Sequence, residues 1–154
     1  MRSQYHPGKL YFKYLEYPVK TVNAMSSIFS KIIKGDIPSH KILEDDDYYA
    51  FLDIYPLAEG HTLVVPKKEV DYIFDLDDQL LAGMQVFSKK VARAIEKVVP
   101  CKRIGVAVLG LEIPHAHIHL IPINHLDDIN FSKPKLKFTE EEFAKTAKKI
   151  RAEI

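Results

Sequence analysis

Apolar positions between residues 80 and 98 recur in steps of four and three: Leu80, Met84, Phe87, Val91, Ile95 and Val98. That spacing gathers side chains on one side of an α-helix. It predicts a long helix starting between Asp75 and Asp78 and running to Val99, where Pro100 ends it. Near the other end of the body, Ser26 is placed to cap a short helix, Ser27–Lys34, closed by Gly35. Shorter apolar runs lie between the two. Lys41–Glu44 and Tyr49–Asp53 read as strands joined by the acidic turn Asp45-Asp46-Asp47, and His61–Val65 as a strand stopped by Pro66. Arg103–Leu109 and His115–Ile123 read as two more, linked by a tight turn at Gly110. Thr139 and Glu142 form a capping box ahead of Phe143, Ala147 and Ile150. Residues 124–138, with Lys133-Pro134-Lys135, read as a connecting arm. Strand runs interrupted by one main helix predict an α+β domain. Its antiparallel sheet carries one long helix, one short helix and a C-terminal helix.

Composition narrows the classes of partner. The chain has 154 residues, room for one domain with a real core. Basic and acidic residues number 22 and 21, a net charge of +1 that suggests neither a nucleic-acid nor a membrane surface. No apolar run approaches the ~20 residues that span a bilayer. The single cysteine, Cys101, cannot form an internal disulfide and fits a reducing cytoplasm. Residues 1–24 differ from the rest: they hold a local charge of +3 and five of the sixteen aromatic residues, without helical period or signal-peptide apolar stretch. They read as an N-terminal extension, disordered or loosely held, or as an arm that docks a partner or second subunit. Residues 25–154 read as a single domain.

The candidate chemistry lies in the last predicted strand. His115, His117 and His119 alternate with Ala116, Ile118 and Leu120. Side chains alternate across a strand, so three imidazoles share one face. Simple core packing would bury three polar rings in need of partners. A metal site is a second reading, but three ligands in line from one strand suit a tetrahedral ion poorly, and no Cys-x-x-Cys pair accompanies them. The third reading is nucleophilic catalysis on phosphorus, since imidazole with a pKa of about 6.5 is largely neutral at physiological pH. A phospho-histidine would split one hard displacement into two easier ones without a metal. This reading is the most economical. His6, His40 and His125 read as surface residues.

The pattern His115-Ala116-His117-Ile118-His119-Leu120-Ile121 resembles the signature of the histidine triad (HIT) superfamily. The resemblance extends through Ser27-Ile28-Phe29-Ser30-Lys31-Ile32-Ile33, Ile37-Pro38-Ser39, Ala50-Phe51-Leu52-Asp53-Ile54 and Gly60-His61-Thr62-Leu63-Val64-Val65-Pro66, and is strongest to the Hint branch. It implies a HIT-like α+β fold, a homodimer formed through the long helix and a strand, and no cofactor. The implied activity is that of a nucleotide phosphoramidase, a hydrolase or transferase of nucleoside monophosphate groups acting at the α-phosphate of an AMP-like purine nucleotide. By position, His117 would be the nucleophile and His119 would hydrogen-bond the phosphate or leaving group. His115 and His61 would orient the nucleophile. Asp53 would take the ribose hydroxyls, and Ile28, Phe29, Ile32, Ile37 and Ile54 would form an apolar slot for the base.

This chain also departs from the pattern. Leu111 stands where many relatives have Gln, and Glu112 where the Hint branch often has a small hydroxyl residue. Phosphate contacts would then fall to backbone N–H groups near Gly110, with Glu112 pointing away or favouring a basic leaving group. Ser27 and Ser30 occupy the positions of a zinc-binding Cys-x-x-Cys found in some bacterial relatives, so no structural zinc is expected. Two further functions compatible with the fold are hydrolysis of dinucleoside polyphosphates and nucleotide binding with vestigial catalysis.

Overall fold

The computed structural model describes residues 26–154. The expectations for residues 1–24 therefore lie outside the described residues. The elements in chain order are α1 (Ile28–Lys34), β1 (Lys41–Glu44), β2 (Tyr48–Leu52), β3 (Thr62–Pro66), α2 (Asp78–Val98), β4 (Arg103–Ala107), β5 (Ile118–Ile123) and α3 (Glu140–Arg151). The five strands form one antiparallel sheet in the order β1-β2-β3-β5-β4. The fold is α+β, as the periodicity predicts.

Local chemistry sets the element ends. Ser27, rather than Ser26, caps α1, its hydroxyl accepting from the Ser30 N–H, and Gly35 closes the helix at φ 83°. Asp77 caps α2 by accepting from the Leu80 N–H. Thr139 and Glu142 make the reciprocal capping box of α3. Pro66 does not stop β3 but is its last paired residue, opposite Tyr48. Proline offers no N–H, so it is tolerated where the ladder ends.

Alternation divides the core in two. Ala50, Leu52, Val64, Ile118 and Leu120 face α2 and α3, where they pack on Met84, Phe87, Val91, Ile95, Phe143 and Ile150. Tyr49, Phe51, Leu63 and Val65 face the other way, under Phe29 and Ile32 of α1. His119 is the register partner of Leu63. The histidine face is therefore the α1 face, opposite the long helix.

The largest departure from the sequence reading is where the last strand begins. It starts at Ile118 rather than His115, and β4 stops at Ala107 rather than Leu109. Residues 108–117 form a loop instead of a tight turn, with Gly110 at φ 69° inside it. The chain between Ala107 and Ile118 is held by other bonds. The Ala116 N–H donates to the Val70 carbonyl at 2.7 Å and the His115 N–H to the Ile113 carbonyl at 2.8 Å. Alternation of polar and apolar residues reports which face a side chain takes, not whether its backbone pairs with a neighbour.

Candidate active site

Four buried imidazoles lie on the α1 face: His61, His115, His117 and His119. Their partners fix where the hydrogens sit. A carbonyl oxygen only accepts, so the contact of His117 Nδ1 with the His115 carbonyl at 2.7 Å places an N–H on Nδ1. In the neutral ring the lone pair is then on Nε2. His115 uses its Nε2–H on the Pro66 carbonyl at 2.7 Å, and its Nδ1 takes the Ser27 hydroxyl hydrogen at 2.6 Å. Ser27 belongs to a further chain of contacts: the Ser30 hydroxyl donates to Glu69, and the Ser27 N–H reaches the same carboxylate at 2.9 Å.

His61 and His119 form a second chain. The Leu57 N–H donates to His61 Nδ1 at 3.1 Å, which puts the His61 hydrogen on Nε2. That hydrogen goes to His119 Nδ1 at 3.0 Å, leaving His119 with its own N–H on Nε2. The rings of His117 and His119 are 4.9 Å apart, drawn together from the spacing of alternate strand residues. Among the described residues their Nε2 atoms, one a lone pair and the other a donor, have no protein partner. Neither is sealed off, since among the described residues the only enclosed polar side-chain atom without a partner is Ser88 Oγ.

Burial keeps three of these rings neutral. It is the main cause holding His61 down to about 3 and His119 to about 4, with neighbouring positive charge adding to the effect. His115 is lowered for the same reason. Asp53, at the end of β2, has its carboxyl raised by burial, opposed by the Tyr55 N–H that it accepts at 2.8 Å. Phe29 stands edge-on to both His117 and His115, with centroids 5.2 and 5.8 Å away.

Asp53, His61 and His119 bring three ligand atoms within 4.8 Å of one another, a spacing a cation could use. The hydrogens argue against it. The atom of His61 facing the cluster carries the proton, and moving it to Nδ1 would set it against the Leu57 N–H. The Ser27 and Ser30 hydroxyls fit a zinc ion no better, being engaged with His115 and Glu69.

The structure brings most of the sequence-predicted residues together and redistributes some roles. His61 touches His119, not His117; His115 reaches the nucleophile candidate through its backbone carbonyl. Phe29 and Ile32 are buried in the α1 core cluster and Ile37 packs against it, whereas Ile28 and Ile54 are about half exposed. Gly110 lines a cavity of about 700 Å³ that reaches His117 and is walled by Tyr72, Phe74, Val108 and Leu109. Glu112 is exposed in the loop between β4 and β5. His40 is half-buried rather than a free surface residue, stacked on Phe143 and 3.2 Å from Glu140. Sequence reading missed Leu57, Glu69, Phe131 and Lys135. The first acts through its backbone, and the others reach the site only through tertiary folding.

Among the described residues no helix is long and apolar enough to cross a membrane. A family model for the HIT domain matches residues 34–126. An uncharacterized HIT-like protein of Borreliella burgdorferi is 34% identical over 135 residues, covering 82% of this chain and 97% of that protein. Adenosine 5'-monophosphoramidase hnt1 of Schizosaccharomyces pombe is 35% identical over 133 residues, covering 84% and 99%. A crystal structure of a Hit-like protein from Bartonella henselae superposes with a TM-score of 0.72 at 34% identity, covering 83% of this chain and 96% of that one. The family model and these similarities agree, and the chain belongs to the HIT domain family.

Proposed function

We propose that this protein is a nucleotide phosphoramidase that transfers an AMP-like group to His117 and then to water. The observation that carries the reading is the pair of Nε2 atoms on neighbouring rings, one a lone pair and one a donor, both without a partner among the described residues. The His117 lone pair attacks the α-phosphorus, a P–N bond to the imidazole forms, and the phosphoramidate P–N bond breaks. The amine leaves with that electron pair and takes a proton from solvent. Water then attacks the phosphorus, the bond to Nε2 breaks, and a proton is released as the nucleoside monophosphate departs. Positive charge develops on the imidazole during attack, so the hydrogen bond from Nδ1 to the His115 carbonyl strengthens in the transition state. His119 Nε2–H donates to a phosphate oxygen or the leaving nitrogen, held in that tautomer by His61.

In this reading Asp53 accepts the ribose hydroxyls, and Phe29, Ile32, Ile37 and the exposed Ile28 and Ile54 bound the base. Gly110 and Glu112 stand at the rim. The active form is a cytoplasmic homodimer. The β4 edge of the sheet and the exposed Val106, with Tyr72 and Phe74 beside the Val108–Leu109 segment that follows it, support pairing there. The test compares turnover of adenosine 5'-monophosphoramidate with that of a diadenosine polyphosphate, and looks for an acid-labile AMP adduct on His117 by mass spectrometry. Fast release of AMP from the phosphoramidate and a trapped adduct are expected. AMP binding without turnover of either compound would leave a nucleotide-binding protein instead.

A further inference from the structure

The proposed chemistry leaves a charge problem. The substrate is an anion, yet Asp53 and Glu112 are acidic and the rings of His61, His115 and His119 are neutral. A site with that balance would repel a phosphate. The arm between β5 and α3, which the mechanism above does not use, carries the missing charge.

After β5 the chain makes a 3₁₀ turn, Leu126–Ile129, and crosses back over the histidine face. The Phe131 ring packs edge-on against His119 at 4.8 Å and His61 at 6.4 Å. Lys135 lies over that ring, its Nζ 5.4 Å from the centroid, and donates one hydrogen to the Phe131 carbonyl at 2.6 Å. The next residue fastens the arm: the Leu136 N–H donates to the Pro56 carbonyl at 2.9 Å, on the loop that links Asp53 to His61. Lys133, by contrast, is paired with Asp127. Lys135 is half-buried, held by one ammonium hydrogen, and among the described residues its other two have no partner. Among the described residues it is the one Lys or Arg whose charge is felt at Asp53, His61 and His119 alike.

We propose that Lys135 is the phosphate-binding cation of this site, presented by the Phe131–Leu136 strap to the oxygens of the nucleotide's α-phosphate. The inference rests on the nucleotide reading above and names the residue that neutralises its phosphate. It makes the arm a part of substrate recognition, in place of donors from the Leu111–Glu112 loop.

Calorimetry with AMP and with adenosine, on the whole chain, separates charge recognition from folding. Lys135→Met is expected to weaken AMP about tenfold or more while leaving adenosine unchanged, and Lys135→Arg to recover most of the loss. Lys133→Met should bind both as the wild type does. Added salt should weaken AMP in the wild type more than in Lys135→Met. Unchanged AMP affinity in Lys135→Met, or an equal loss for AMP and adenosine, would overturn the assignment. Failure of the wild type to bind either compound would instead overturn the nucleotide reading, and the assignment with it.

Discussion

The two faces of the sheet are built from opposite materials. Against α2 and α3, Met84, Val91, Ile95, Ile118 and Ile150 are fully buried hydrocarbon. Against α1, burial is just as deep, but Ser27, Ser30, His61, His115, His117 and His119 share it with Phe29 and Leu63. The first face needs only shape, because apolar burial is non-directional. The second needs every polar atom answered, because an unpaired buried group costs about 1–3 kcal/mol. It meets that demand with backbone carbonyls, a backbone N–H and two serine hydroxyls, and among the described residues leaves only two ring nitrogens free. Stability and chemistry are thus assigned to different sides of one five-stranded sheet.

The largest expected effect is a clean separation of the two. His117→Ala should lower phosphoramidate turnover by a factor on the order of 10⁴, about 5.5 kcal/mol of barrier, with little change in melting temperature. Met84→Ala, on the other face, should destabilise the fold by about 2–5 kcal/mol through the cavity it leaves. Its kcat, measured well below the melting point, should stay near the wild-type value. Steady-state kinetics and thermal denaturation of both variants decide the matter. A Met84→Ala enzyme with kcat reduced as severely as that of His117→Ala would show that the faces are not independent.

Acid should damage one face alone. The unfolded chain takes up protons on histidine near pH 6.5, whereas the native His119 and His61 refuse them until about 4 and about 3. The unfolded state therefore binds more protons below about 6.5, so stability is full above that pH and falls steadily toward pH 4. Asp53 acts in the opposite sense: its raised carboxyl takes a proton in the native state first, which offsets part of the loss. Melting curves between pH 7.5 and 4.5 should show the decline, and His61→Gln should flatten it. A melting temperature constant across that window would mean that the native rings take up protons at the same pH as those of the unfolded chain.

Much of this contrast was written in local sequence. The four-and-three spacing from Leu80 to Val98 defines α2 because one helix face packs on one sheet face. The alternation of His115, His117 and His119 placed the three rings on one side, although only His119 sits in a paired strand. The rings share one side even so, since Phe29 meets both His115 and His117 and the His117 ring lies 4.9 Å from that of His119. The tautomers were not legible, since Leu57, Pro66 and Ser27 come from three separate segments. Nor was the strap: Phe131 and Lys135 lie in an arm without regular structure, where no periodicity marks a buried face.

The smallest predicted effect sharpens the comparison most. Ser27 sits at the junction of the Glu69–Ser30 contacts and His115, and His115 in turn holds the Nδ1–H of His117. In Ser27→Ala the helix cap and the hydroxyl donor to His115 Nδ1 disappear together, an expected cost of about 1–3 kcal/mol. A change of that size could reflect only the lost cap. Ser27→Asn, which can cap the helix and offer an N–H to the ring, distinguishes the two, because it should restore both stability and the His115 tautomer. The nitrogen chemical shifts of His115 and His117 report this directly. In Ser27→Ala the His115 signals should move toward exchange between tautomers, and His117 should keep its Nδ1–H because that bond uses a backbone carbonyl. If His117 loses its tautomer as well, the polar face is a single cooperative unit, and His117 is held from α1 as well as from the loop that carries it.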